Sequence, residues 1–146
     1  MEAYRFNDEQ REIEFHRFDL PSPWINYLSN GRMHAFVSQA GGGMTWWQSP
    51  IAFRLTRYRF YNLPIDSPGF YVYIRMKDGT VWSPTFRPCR TNVEERKAIH
   101  APGHSVFIAK KDGLEARLDL FMAQAYDALI WNLRLRNDSG LSLIHI

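Results

Sequence analysis

Two Asp-Gly pairs set the strongest constraint on this chain. Asp78-Gly79 stands between Phe70–Met76 and Thr80–Phe86, and Asp112-Gly113 stands between His104–Lys110 and Leu114–Met122. Asp-Gly between runs rich in aromatic and β-branched residues signals an antiparallel hairpin, because a type I′ turn needs positive φ at both central residues. The flanks carry the matching period. Leu114, Ala116, Leu118, Leu120 and Met122 alternate with Glu115, Arg117, Asp119 and Phe121. Such alternation puts one set on a buried face and the other toward solvent. Leu129, Trp131, Leu133 and Leu135 repeat the pattern against Ile130, Asn132, Arg134 and Arg136, and Asn137-Asp138-Ser139-Gly140 closes the run as a turn. A further strand is expected around Arg32–Ser38. The charged run Thr91–Ala101, closed by Pro102-Gly103, reads as strand or loop, with a short helix left open. Helix signals are poor elsewhere. The expectation is an all-β fold, an antiparallel β-sandwich that is incomplete at its C-terminus and leaves an edge open.

Composition narrows the setting. A length of 146 residues fits one domain, and 45% hydrophobic residues suit a packed fold. Apolar stretches are far shorter than the roughly 20 residues that span a membrane. The charged N-terminus lacks the apolar core of a secretory signal, and Cys89 is the single cysteine, so a cytoplasmic setting is expected. The basic residues are 14 Arg against 4 Lys, spread along the chain, and 15 acids hold the net charge to +3. That balance does not call for nucleic acid.

Several motifs occur in a fixed order. Phe6-Asn7-Asp8-Glu9-Gln10-Arg11-Glu12 reads as an opening turn. Pro23-Trp24-Ile25-Asn26-Tyr27-Leu28 follows, then Ala40-Gly41-Gly42-Gly43 and the pair Trp46-Trp47. Next come Arg54-Leu55-Thr56-Arg57-Tyr58-Arg59, Asn62 and Pro64, then Pro68–Ile74 and Trp82–Pro88. In this order and spacing the chain resembles the N-terminal supersandwich of glycoside hydrolase family 94, which includes cellobiose, cellodextrin and chitobiose phosphorylases. The resemblance implies a parent enzyme that cleaves a β-glucoside with inorganic phosphate and inverts the anomeric carbon. The cellobiose type, giving glucose 1-phosphate and glucose, is the expected reaction. Phosphate is then the co-substrate, and no cofactor is implied. The catalytic acid and phosphate site of the family lie in a later (α/α)₆ barrel, to which no residue of this chain maps. Residues 1–146 are therefore expected to be a partial N-terminal domain, inactive alone, with roles in carbohydrate binding and in domain and dimer packing. The expected partners are an oligosaccharide and, in the parent, a second copy, with no nucleic acid and no membrane.

The candidate site residues are Trp46, Trp47, Arg57, Tyr58, Arg59 and Asn62, as sugar contacts or interdomain contacts. An indole face stacks on the apolar face of a pyranose, but large aromatics also dominate cores and interfaces. Adjacent strand residues point to opposite faces, so Trp46 and Trp47 do not serve one surface together. Arg57 and Arg59 share a face if extended and suit either carboxylates of a neighbouring domain or a surface ladder. Gly41-Gly42-Gly43 lacks the Lys and the helix of a phosphate loop and reads better as a turn or a close backbone approach. His100 and His104 have a metal-like spacing, but Pro102-Gly103 between them breaks any helix. Cys89 beside Arg87 and Arg90 is placed for a lowered pKa, yet no companion base is evident. No catalytic or metal residue is assigned. Two alternatives stay open. One is a free-standing carbohydrate-binding sandwich with Trp46, Trp47 and Trp82 as its platform. The other is a basic all-β binder of nucleic acid that stacks bases on its aromatics.

Overall fold

The computed structural model describes residues 2–57 and 68–139. In chain order its strands are β1 Tyr4–Asn7, β2 Glu12–Phe15, β3 Ile25–Ser29, β4 Met33–Ser38, β5 Gly43–Trp47, β6 Ile74–Arg75, β7 Val81–Trp82, β8 Glu95–Ala101, β9 His104–Lys111, β10 Leu114–Met122 and β11 Leu129–Asn137. No helix occurs among the described residues, so none there is long and apolar enough to cross a membrane. Every strand pair is antiparallel. A six-stranded sheet runs β1-β2-β8-β9-β10-β11, a three-stranded sheet runs β3-β4-β5, and β6 pairs with β7. The all-β, antiparallel expectation holds. The charged run Thr91–Ala101 resolves into β8, whose neighbours are β2 and β9.

The main core lies between the two larger sheets. It joins Leu28, Met33, Ala35 and Val37 of the small sheet to Phe15, Ala98, Phe107, Leu118 and Leu120 of the large one. Burying a Leu or Phe side chain contributes about 1.5–3 kcal/mol. The period-two reading of β10 is borne out: Leu114, Ala116, Leu118, Leu120 and Met122 are all buried. A second cluster sits at the far end of β9 and β10, where Trp82 covers Ala109, Leu114 and Ala116. The β11 row is different. Leu133 pairs with the fully buried Leu118, and Leu135 with Ala116, yet Trp131, Leu133 and Leu135 are 43%, 37% and 51% exposed. Among the described residues β11 pairs with β10 alone, so this row extends the apolar face beyond the small sheet.

The turns separate what was foreseen from what was not. Asp112 and Gly113 have φ of 50° and 77°, the I′ signature. Asp78-Gly79 departs from that expectation. Only Gly79 is positive, at φ 88°, while Gly79 N–H donates to Met76 O and Met76 N–H to Thr80 O. Lys77-Asp78-Gly79 is thus a three-residue hairpin loop closing with a left-handed glycine. The flanking strands are also much shorter than expected. Phe70 spends its N–H on Gly41 O, and Ser83 and Thr85 bond each other across Pro84, so only Ile74–Arg75 and Val81–Trp82 pair. Asn30-Gly31, a hairpin signal of the same kind, joins β3 to β4 with Gly31 at φ 89°.

Candidate functional site

The Pro23–Leu28 motif stitches the two sheets together. Trp24 N–H donates to Gln39 Oε1 (2.9 Å), and Gln39 N–H returns to Trp24 O (3.0 Å). Asn26 Nδ2 reaches Ala101 O and His104 O, each at 2.9 Å, and Ser105 Oγ at 3.0 Å. It thereby grips the turn between β8 and β9. His100 completes the network, with Nε2 3.3 Å from Trp24 O and Nδ1 3.0 Å from Ser105 Oγ. A carbonyl only accepts, so Nε2 carries the proton and Nδ1 accepts from the serine. Burial pushes the His100 pKa down to about 4, against the raising effect of the backbone bonds. The ring is therefore neutral and structural at pH 7. His104 sits opposite Ala101 across the turn, and no group of three or more metal-binding side chains occurs among the described residues.

Trp46 and Trp47 go to opposite sides of β5, as their adjacency requires. Trp47 turns toward the core, packs edge-on against Phe53 at 5.3 Å, and donates Nε1–H to Asp127 Oδ2 at 3.0 Å. Arg32 Nε meets the other oxygen of Asp127 at 2.9 Å. Asn30 Nδ2 donates to Ala123 O and Tyr126 O, each at 2.9 Å. Three residues of the small sheet and its turn thus fix the loop between β10 and β11. Trp46 faces outward with His34 stacked on it at 5.6 Å and 18°, and it bridges Arg54 across the next segment. Tyr27 and Phe36 extend this outward aromatic row.

The other candidates separate in the same way. Arg57 is exposed, and Tyr58, Arg59 and Asn62 lie outside the described residues. Trp82 is fully buried, so the platform of Trp46, Trp47 and Trp82 is not formed. The core needs that indole against Ala109 and Ala116. Two of the three glycines, Gly41 and Gly43, are close-approach positions. A Cβ on Gly41 would stand 2.6 Å from Thr85 Cβ, and one on Gly43 would stand 2.7 Å from the Phe70 ring. Their surroundings are filled by protein, which leaves no cradle for phosphate. Cys89 also corrects its expectation. Burial raises its thiol pKa, and the charge that opposes this is Arg96, not Arg87 or Arg90. On the outward face of the large sheet Asp119 lies between Arg117 (2.9 Å) and Arg134 (2.7 Å). Burial works to raise its carboxyl, but the hydrogen bonds from both arginines outweigh that and hold it below the usual range.

Sequence reasoning did not single out Asn30, Arg32, Asp127 or Asp119. The Asn30-Gly31 turn signal was the one local clue. Nothing local pairs Arg32 with a residue 95 positions on.

A model of the glycosyl hydrolase 94 supersandwich domain matches residues 9–143. The chain belongs to this family. Among curated relatives of this supersandwich domain, an N,N′-diacetylchitobiose phosphorylase of Vibrio proteolyticus is 34% identical over 137 residues, covering 92% of this chain and 17% of the relative. The Vibrio furnissii protein of the same name is 31% identical over 137 residues, with the same coverage of each. A 3-O-β-D-glucopyranosyl-β-D-glucuronide phosphorylase of Paenibacillus borealis is 26% identical over 133 residues, covering 90% of this chain and 16% of the relative. The chain therefore spans about a sixth of the length of these three relatives. The glycoside hydrolase 94 resemblance and the sandwich architecture are borne out.

Proposed function

We propose that this chain is the supersandwich domain of an inverting glycoside phosphorylase, and that the whole enzyme transfers a hexosyl unit from a β-linked disaccharide to inorganic phosphate. The supporting observation is the family match over residues 9–143 with relatives named as phosphorylases. Within that class we favour N,N′-diacetylchitobiose as substrate, since the two relatives above 30% identity both carry that name. Cellobiose is the competing substrate. In such an enzyme phosphate attacks the anomeric carbon while one carboxylic acid protonates the leaving oxygen, the geometry of an inverting hydrolase with phosphate in the place of water. The part played by this domain is packing and surface. Trp47 and the Pro23–Leu28 motif build the frame, while Trp46, Arg57 and their neighbours face outward toward the barrel or the sugar. Residues 1–146 alone are inactive on this reading, the barrel carries the chemistry, the parent is a cytoplasmic homodimer, and no cofactor is required.

The test is phosphorolysis by the full-length protein. It is incubated with phosphate and either N,N′-diacetylchitobiose or cellobiose, and the products are followed by proton and phosphorus NMR. An α-configured sugar 1-phosphate from one of them is expected. Release of free sugar without phosphate incorporation, or no reaction with either, overturns the reading. Activity on cellobiose alone replaces the favoured substrate and keeps the class.

A further inference from the structure

Asn30 belongs to an Asn-Gly pair, and both ends of its side-chain amide are occupied. Its Oδ1 accepts from Arg32 N–H at 3.1 Å and from Met33 N–H at 2.8 Å. Its Nδ2 donates to Ala123 O and Tyr126 O, each at 2.9 Å, in the loop between β10 and β11. Two bonds accepted and two donated saturate an amide. Gly31 is exposed at φ 89°, and its N–H donates to Ser29 Oγ at 3.0 Å. A Cβ at Gly31 would meet nothing within 4 Å, so solvent reaches this turn.

An Asn-Gly pair is chemically labile, because glycine puts no Cβ in the way of attack by its own nitrogen on the preceding amide. The Gly31 nitrogen gives its proton to solvent and bonds to Asn30 Cγ. The Cγ–Nδ2 bond breaks, and Nδ2 leaves as ammonia. Water then opens the five-membered imide at either carbonyl, which gives aspartate or isoaspartate at position 30. The attack makes Cγ tetrahedral and swings Oδ1 and Nδ2 out of their plane. The bonds to residues 32, 33, 123 and 126 must therefore give first.

We propose that Asn30 is a deamidation site guarded by the β10–β11 loop, and that conversion, once made, keeps the loop from closing again. The loop is tied to the small sheet a second time through Asp127, which meets Arg32 Nε at 2.9 Å and Trp47 Nε1 at 3.0 Å. The guard lasts while the loop is docked, and local opening exposes the amide. The product cannot regain the contact. An ionised aspartate has no proton to donate, so its oxygens would face the carbonyls of Ala123 and Tyr126. Isoaspartate also threads an extra carbon through the main chain, against the register that pairs Ser29 with His34. Each opening that ends in reaction is thus recorded covalently, whatever reaction the enzyme catalyses.

The test holds the full-length protein in mildly alkaline buffer, folded or in denaturing urea. The peptide containing Asn30 is followed by mass spectrometry, with aspartate and isoaspartate separated by chromatography. Asn30 should deamidate at least about tenfold more slowly folded than in urea, since only the open fraction reacts. Asp127→Ala should raise the folded rate several-fold and leave the urea rate unchanged. Asn30→Asp, made directly, should speed hydrogen exchange several-fold at the Ala123 and Ala128 amides, whose N–H groups bond within the loop. Equal folded and urea rates overturn the guard, as does a folded rate that Asp127→Ala leaves unchanged. Absence of isoaspartate in urea overturns the imide route. Exchange in Asn30→Asp as slow as in the unmodified protein overturns the one-way consequence.

Discussion

The indole N–H of Trp47 donates to Asp127 Oδ2 over 3.0 Å and ties β5 to a loop 80 residues further along the chain. Arg32 takes the second oxygen of the same carboxylate. Asp127→Ala is therefore expected to cost about 0.5–1.5 kcal/mol, because it removes the hydrogen bond from a half-buried indole together with an exposed Arg32 ion pair that contributes less than about 1 kcal/mol. Urea unfolding followed by tryptophan fluorescence checks this. Asp127→Asn, which retains an acceptor for the indole, recovers most of the loss. Equal losses in the two variants would contradict the assignment.

His100 gives the fold an acid limit. Its folded pKa is about 4, and its ordinary value is 6.5. The unfolded chain therefore takes up the proton first. Stability is complete above pH 6.5 and falls as pH drops toward 4, by on the order of 3 kcal/mol across that window. His100→Gln should flatten the slope between pH 7 and 4.5 in denaturant titrations. An unchanged slope would place the acid sensitivity elsewhere.

Glycines of this chain are expected to differ sharply in tolerance. A Cβ at Gly43 meets the Phe36 backbone and the Phe70 ring, whereas a Cβ at Gly79 meets nothing within 4 Å. Gly43→Ala should cost at least about 3 kcal/mol or prevent folding, since a packed strand must move to admit it. Gly79→Ala should cost only ~1 kcal/mol, the strain of a left-handed φ. Thermal melting of the two variants side by side tests the contrast.

Asp119 separates two arginines that the register places directly opposite each other, Arg117 and Arg134. Asp119→Ala leaves them facing without a counter-charge and should cost about 1–3 kcal/mol. Arg134→Ala should cost less, because Arg117 still pairs the carboxylate. The pKa of Asp119 is lowered, so its contribution is present above the usual carboxylate range and fades as pH falls through that lowered value. Adding Arg117→Ala to the Asp119→Ala variant should restore part of the loss, measured as a shift in unfolding midpoint.

The exposed row of β11 predicts association. Trp131, Leu133 and Leu135 continue the core side of the sheet into open solvent. Residues 1–146 on their own should self-associate, and Leu133→Thr with Leu135→Thr should lower the sedimentation-determined mass without lowering the melting temperature. A lower melting temperature with unchanged association would show the row to be internal packing.

The sequence by itself determined the fold class and the β9-β10-β11 half of the large sheet. Period-two alternation in Leu114–Met122 and the positive-φ demand of Asp112-Gly113 are local requirements, and local physics meets them in place. The motif order from Phe6 to Pro88 likewise identified the family. Only the tertiary structure decided the roles of the tryptophans. Trp82 went to the core, Trp47 to a carboxylate and Trp46 to the outward face, although nothing in their flanks distinguishes those fates. Burial and hydrogen-bond satisfaction depend on what a side chain meets across the sandwich, and the groups that settle them, Asp127 for Trp47 and Ala109 with Ala116 for Trp82, stand dozens of residues away.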